Sequence, residues 1–246
     1  MTSWPTVERH DGQMTGPSGD AGRRGEPRLP ASVATLAAAA LYALLPGTLI
    51  VGPRFVIPSL EIALLAVLVV VNPVRLTRST RWSRPTSLAL IGLIATTNLV
   101  ALVVLLRELA TVGNAQSGTL LLAAGQVWLT NVIVFGLAYW ELDRGGPVTR
   151  THVRRIDLPR ADFRFSQDEN IQTVVEVKAG SSEVADWVPT FLDYLYVSLT
   201  NSSAFSPTDT MPLSSRVKIL MGMQATAALV TSVLVIAKGV GGLGNG

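Results

Sequence analysis

Asp193 lies in the apolar stretch "WVPTFLDYLYVSLTNSSAF", and Tyr196, Thr200 and Ser203 follow it at steps of three, four and three. At helical spacing these four share one face, with Leu192, Leu195 and Leu199 opposite. A carboxyl within a membrane span is costly, so it faces a bundle interior or water, where it can serve a proton or cation path. The following tip, Ser206 to Pro212, adds Thr208 and Asp209 as the mouth of such a path. Thr96, Thr97, Asn98, Gln126, Thr130, Asn131, Gln224 and Thr226 carry further polar groups on neighbouring apolar runs, from which they could meet Asp193. Hydrogen bonding that only holds helices together is the other role open to all of them.

Other chemistry is sparse. The chain has no cysteine, which excludes disulfides, thiolate metal sites and a cysteine nucleophile. His10 stands in a Gly- and Pro-rich tail and His152 among arginines, so no histidine pair meets a carboxylate at metal-ligand spacing. No phosphate-cradling loop, G-x-S-x-G elbow or H-E-x-x-H helix occurs, and the glycines of "GVGGLGNG" open no helix on which a phosphate could sit. Asp193 and Asp209 each lack a base partner. The expectation is a protein that is not an enzyme, with no catalytic residue, metal or cofactor.

The elements that must position the polar stripe are membrane spans. Of 246 residues 48% are hydrophobic and 15% charged, against roughly 25% charged in soluble domains. The apolar residues gather into runs near the roughly 20 residues a spanning helix needs. These runs are Ala31 to Val51, Pro58 to Val74 with Glu61 in its first turn near the interface, Ser87 to Leu106, Thr119 to Trp140, the shorter and more polar Trp187 to Phe205, and Val217 to Lys238. The expected fold is an all-α polytopic transmembrane bundle of six spans with both termini cytoplasmic. Its expected parts are a disordered tail (1–28), four transmembrane helices (29–140), a cytoplasmic basic loop (141–186) in which "TVVEVKAG" reads as a strand, a C-terminal transmembrane hairpin (187–238) with a polar outer tip, and a flexible tail (239–246).

Charge sets the orientation. With six crossings 16 of the 20 basic residues fall on one side, leaving Arg54, Arg107, Arg216 and Lys218 on the other, as the positive-inside tendency requires. The expected location is the inner membrane of a bacterium. Arg144, Arg150, Arg154 and Arg155 could contact anionic lipid, each worth about 1 kcal/mol near a charged surface. The same loop could instead be a topology determinant with no ligand. The bilayer and further copies of the chain are the expected partners, and nucleic acid is not.

Two resemblances enter here. The segment "YLYVSLTNSSAFSPTDTMPLSSRVKILMGMQATAALVTSVLVIAKGV" resembles the pore-helix, filter and inner-helix module of potassium-channel-like proteins. In that likeness Asp209 matches the filter acid and Pro212 the proline three residues on. The two filter glycines fall on Ser206 and Thr208 and the tyrosine on Pro207, so a stack of inward-facing carbonyls that uses glycine at positive φ is not supported. The combination of "YWELDRGGP" with "WVPTFLDYLYVSLTNSSAFSPTDTMPL" resembles a group of bacterial polytopic membrane proteins with no assigned activity. The first likeness implies that Trp187 to Phe205 dips in from outside and returns, which places Glu141 to Asp186 outside, and the second implies six spans; both send the last helix from outside to inside, and the charge bias favours a full crossing. The functional expectation is a channel-like or solute-permeating protein using Asp193, Tyr196, Thr200, Ser203, Thr208 and Asp209. The alternative is a non-catalytic scaffold that binds lipid or a partner.

Overall fold

A computed structural model describes residues 25–77, 81–111, 117–169, 174–185, 187–203 and 210–243. The helices in chain order are α1 (Leu29–Ala43), α2 (Val56–Val71), α3 (Ser83–Thr111), α4 (Ser117–Leu142), α5 (Pro147–His152), α6 (Val175–Lys178), α7 (Ser182–Ala185), α8 (Phe191–Ser202) and α9 (Ser215–Leu243). Strand β1 (Phe163–Phe165) precedes α6, and β2 (Thr210–Pro212) precedes α9. Prolines explain several starts: Pro30, Pro58, Pro85 and Pro147 all sit in first turns, where a missing amide hydrogen costs nothing. Pro46 and Gly47 end α1 early, and a short 3₁₀ turn, Gly47–Leu49, follows.

Among the described residues three helices are long and apolar enough to cross a membrane: Ser83–Thr111, Gly118–Gly145 and Ser215–Ala237. Two shorter apolar helices, α1 and α2 with 15 and 16 residues, pack beside them. The long α4 is central, packed by α1, α3, α8 and α9. Two apolar cores stack along it. One gathers Leu68, Ile91, Trp140, Phe163, Phe191, Tyr194 and Val217, and the other gathers Tyr42, Leu49, Leu105, Leu120 and Val127.

The first core lies at what we call the basic end. There the Arg28 amide donates to the Val74 carbonyl (3.2 Å), Ser87 donates to Glu141 (2.9 Å), and Arg216 donates to the Leu142 carbonyl (3.3 Å). The start of α1, the end of α2, the start of α3, the end of α4 and the start of α9 therefore meet at one end. At the opposite end Arg54 reaches the Ala43 carbonyl (3.3 Å). Since α1 begins at the basic end and α9 finishes at the other, the two ends of the described chain do not share a side as the six-span reading expected.

The pairing of β1 with β2 explains the difference. Phe163 opposes Pro212, Arg164 opposes Met211, and Phe165 opposes Thr210, antiparallel. The tip expected across the membrane from the basic loop is thus paired with that loop. Helix α8 has 12 residues, about 18 Å at 1.5 Å each, short of a hydrocarbon core of about 30 Å. It leaves the basic end and the chain returns there. The strand expected at "TVVEVKAG" is also absent: Val175–Lys178 is helical. Phe163 and Phe165 instead bury their rings in the aromatic cluster around Tyr194, with Arg164 outward between them.

Candidate functional site

Helix α8 is held by its inner face. Thr190 begins it with a capping box: its amide and hydroxyl donate to Asp193 Oδ2 at 2.7 and 2.9 Å. The expected intramembrane acid is therefore a helix cap at the basic end. Tyr196 is exposed, Thr200 and Ser203 are half-buried, and the two hydroxyls donate to the Tyr196 and Leu199 carbonyls of their own helix. The stripe faces outward. The inward stripe is Phe191, Tyr194, Val197, Ser198 and Ser202, all buried. Thr208 and Asp209 lie outside the described residues.

Opposite Ser198 and Ser202 stands Gln224 of α9, fully buried. Its Oε1 accepts from Tyr139 (2.6 Å) and Asn201 (2.9 Å). Its Nε2 donates to the Ser198 carbonyl (3.0 Å), Ser198 Oγ (2.6 Å) and Ser202 Oγ (2.8 Å). The Ser198 hydroxyl in turn donates to the Val132 carbonyl (2.7 Å). One amide thus ties α4, α8 and α9, and leaves the space between them filled. Gly136 lets the pair close, since a Cβ there would lie 3.2 Å from Leu195 Cα.

A second network locks the expected loop to the bundle. Glu26, placed in the tail by sequence, is buried; it accepts from Trp140 Nε1 at 3.0 Å, Arg150 at 3.2 Å and the Phe191 amide at 2.6 Å. Arg150, 2% exposed, also donates to the Trp140 carbonyl (2.7 Å) and the Pro189 carbonyl (3.1 Å), and lies over the Tyr194 ring at 5.0 Å. Asp143 accepts from the Tyr194 hydroxyl (2.5 Å) and the Asp162 amide (2.7 Å). Arg144 pairs with Asp168 at 2.8 Å, and Asp168 also accepts from Ser182 (2.7 Å). Burial alone would raise the Asp168 carboxyl, but the Arg144 charge, the Ser182 hydroxyl and the Phe165 amide together hold it below the usual carboxylate range. Gly145 and Gly146 turn the chain at φ +81° and +95°. Every polar side chain of the motif "YWELDRGGP" is thereby spent on holding another segment.

Two of the four arginines expected to meet lipid, Arg144 and Arg150, are turned inward in these networks. Arg154 is exposed and pairs with Asp157 at 2.8 Å, and Arg155 reaches the Trp187 carbonyl at 2.5 Å. His152 on α5 bonds only with its own turn, through Thr151 (2.9 Å) and the Val148 carbonyl (3.1 Å). Among the described residues no three His, Cys, Asp or Glu side chains gather as metal ligands.

Two cavities complete the picture. At the basic end about 100 Å³ opens between α1 and α4, lined by Arg28, Thr35, Arg84, Ser87 and Glu141 above an apolar floor. Nearer the other end, Thr97, Asn98, Gln126 and Thr130 do meet an acid, but it is Glu61 of α2 rather than Asp193. The signal for Glu61 was readable: Pro58, Glu61, Leu65 and Leu68 are spaced three, four and three and form the buried stripe of α2. No family model, curated protein or solved structure matches the chain.

Proposed function

We propose that this is a multi-pass protein of a bacterial inner membrane that passes cations or small polar solutes along the outer face of α8, in an assembly of identical chains. Five crossings surround one half-span, α8, which re-enters from the basic end: the long α3, α4 and α9, and the shorter α1 and α2, which reach the far side only with the connection 44–55 between them. That end is cytoplasmic in this reading. Among the described residues, Arg54 and Arg107 stand at the far end with Lys238 in the last turns of α9, while Arg28, Arg75, Arg81, Arg84 and the cluster from Arg144 to Lys218 stand at the near end.

The reading rests on one observation, the β1–β2 pairing that brings both flanks of α8 to the same end. A half-span ends its backbone hydrogen bonding inside the membrane, where its last carbonyls have no helical partner. Non-helical backbone at that depth is tolerated only against protein or a water-filled path. The C-terminal end of a helix carries partial negative charge, which favours a cation over an anion. The order half-helix, return, long apolar helix is also that of the pore module the sequence resembles, without its filter glycines. Because Gln224 and its partners fill the inner face, a path must run outside it, between copies, past Tyr196, Thr200 and Ser203, with Asp193 at the entrance. The apolar face of α9, with Ile219, Met223, Leu229 and Val233 uncovered, gives copies a surface to meet on.

The absence of native cysteines makes the test direct. Cysteines at Arg164 and Met211 should form a disulfide. Ser166→Cys and Leu213→Cys should react with an impermeant reagent only after cells are opened, and Val51→Cys in intact cells. Labelling of Leu213→Cys alone in intact cells would mean that α8 crosses. Liposomes should show a cation flux reduced by Thr200→Val; parent liposomes without flux would favour the scaffold reading. One observation supports that second reading: Arg28 Nε is buried without a partner beside the basic-end cavity, a place for an anionic headgroup. A bound anionic lipid lost in Arg84→Gln would bear it out.

A further inference from the structure

Glu61 is 1% exposed, and its Oε2 has no hydrogen-bond partner. It borders a narrow space of about 10 Å³ between α1, α2, α3 and α4, room for a single water-sized particle. The other polar groups around that space are Tyr42, Thr97, Asn98, Gln126 and Thr130. Thr97 donates its hydroxyl proton to the Leu93 carbonyl at 3.0 Å, and Thr130 donates to the Gln126 carbonyl at 2.9 Å. With those protons committed to their own helices, both oxygens have only lone pairs to offer the cavity. The amides of Asn98 and Gln126 can each present a carbonyl oxygen.

A buried carboxylate with one oxygen left unpartnered is unstable in this setting, so it is neutralised by a proton or a cation. One carboxylate among neutral oxygens is a hard donor set carrying a single negative charge. It balances one positive charge and no more. The space admits one particle without a hydration shell, which suits a bare sodium ion and excludes a divalent ion that keeps its waters.

We propose that Glu61, with oxygens of Thr97, Asn98, Gln126 and Thr130, binds one dehydrated monovalent cation of sodium size between the first four helices. The site shares no residue with α8 or α9, so it stands whether or not the outer face of α8 conducts. A cation there joins α2, α3 and α4 and makes their packing depend on sodium.

The experiment uses the full chain purified in detergent. Equilibrium binding of radioactive sodium should saturate at one ion per chain. Thermal unfolding should shift upward by several degrees in sodium chloride relative to choline chloride at equal ionic strength. Glu61→Gln should abolish both, and Thr97→Val and Thr130→Val, which keep shape and remove one oxygen each, should weaken sodium binding about tenfold. Absence of bound sodium in the parent overturns the proposal, as does a melting temperature that follows pH but ignores sodium, since Glu61 is then simply protonated. If Glu61→Gln fails to fold, the two threonine variants decide: unchanged sodium affinity in both refutes the site.

Discussion

Removing the Glu26 carboxylate should unfold the basic end. Its two oxygens take the Trp140 indole, the Arg150 guanidinium and the Phe191 amide at 2.6 to 3.2 Å. In Glu26→Ala the Arg150 charge stays buried with no ion-pair contact, with carbonyls and the Trp140 and Tyr194 rings against it and Glu141 as a nearby charge. Leaving one partner of a buried pair uncompensated costs about 3–5 kcal/mol. The remaining carbonyl bonds put the charge term near the lower bound, about 3 kcal/mol. The stranded Trp140 and Phe191 donors add about 1 kcal/mol each. The expected loss is therefore about 5 kcal/mol, about a third or more of a typical domain's stability. Glu26→Leu combined with Arg150→Met removes both charges and should recover about 3 kcal/mol of it. Chemical unfolding in detergent, followed by Trp140 fluorescence, measures both. A loss below about 1 kcal/mol for Glu26→Ala, or a double variant no more stable than the single, would refute the ion-pair argument.

Gln224→Leu removes five hydrogen-bond contacts, and at about 0.6 kcal/mol each inside a membrane it should cost about 3 kcal/mol and loosen α8, read as faster exchange of its amides. An unchanged exchange pattern would contradict the hub. Asp168 has a lowered folded-state pKa, so its contribution to stability is complete above the ordinary carboxylate range and is lost as pH falls through the folded value. Asp168→Asn should therefore flatten the acid limb of a stability profile below about pH 4 and leave the alkaline limb unchanged. Gly146 sits at φ +95° and ψ 173°, a region essentially reserved for glycine, so Gly146→Ala should lower stability by about 1–3 kcal/mol in the same unfolding assay.

The apolar helices were legible because hydropathy and length report burial against lipid residue by residue. α3, α4 and α9 coincide with three of the six expected runs, with ends shifted by only a few residues. What hydropathy does not carry is direction. The stretch from Trp187 to Phe205 has the composition of a weak span, and nothing local says whether the chain emerges on the far side or turns back. The deciding contact joins Phe163–Phe165 to Thr210–Pro212, 47 residues apart at Arg164 and Met211, and no local pattern encodes such a pairing. That pairing puts Arg216 and Lys218 at the basic end, and α9 runs from there to carry Lys238 away from it.

The polar residues were misassigned for a related reason. A helical stripe says that Asp193, Tyr196, Thr200 and Ser203 share a face, but α8 offers a second stripe, Tyr194, Val197, Ser198 and Asn201, at steps of three, one and three. Burial chose the second: Tyr194 sets its ring against Phe163 and Phe165 and its hydroxyl on Asp143, whereas Tyr196 of the first stripe points away from that cluster and is exposed. Asp193 then had a cheaper place at the helix start, where the Thr190 amide and hydroxyl satisfy it without a buried partner. Glu61 had no such exit. Its stripe on α2 is the one that faces α1 and α3, so packing carries the carboxyl inward with Leu65 and Leu68, and the threonines and amides of α3 and α4 that cannot reach Asp193 gather there instead. The intramembrane acid that the polar residues of α3 and α4 surround is thus set by which face of α2 packs, and that face was written in the spacing of Pro58, Glu61, Leu65 and Leu68.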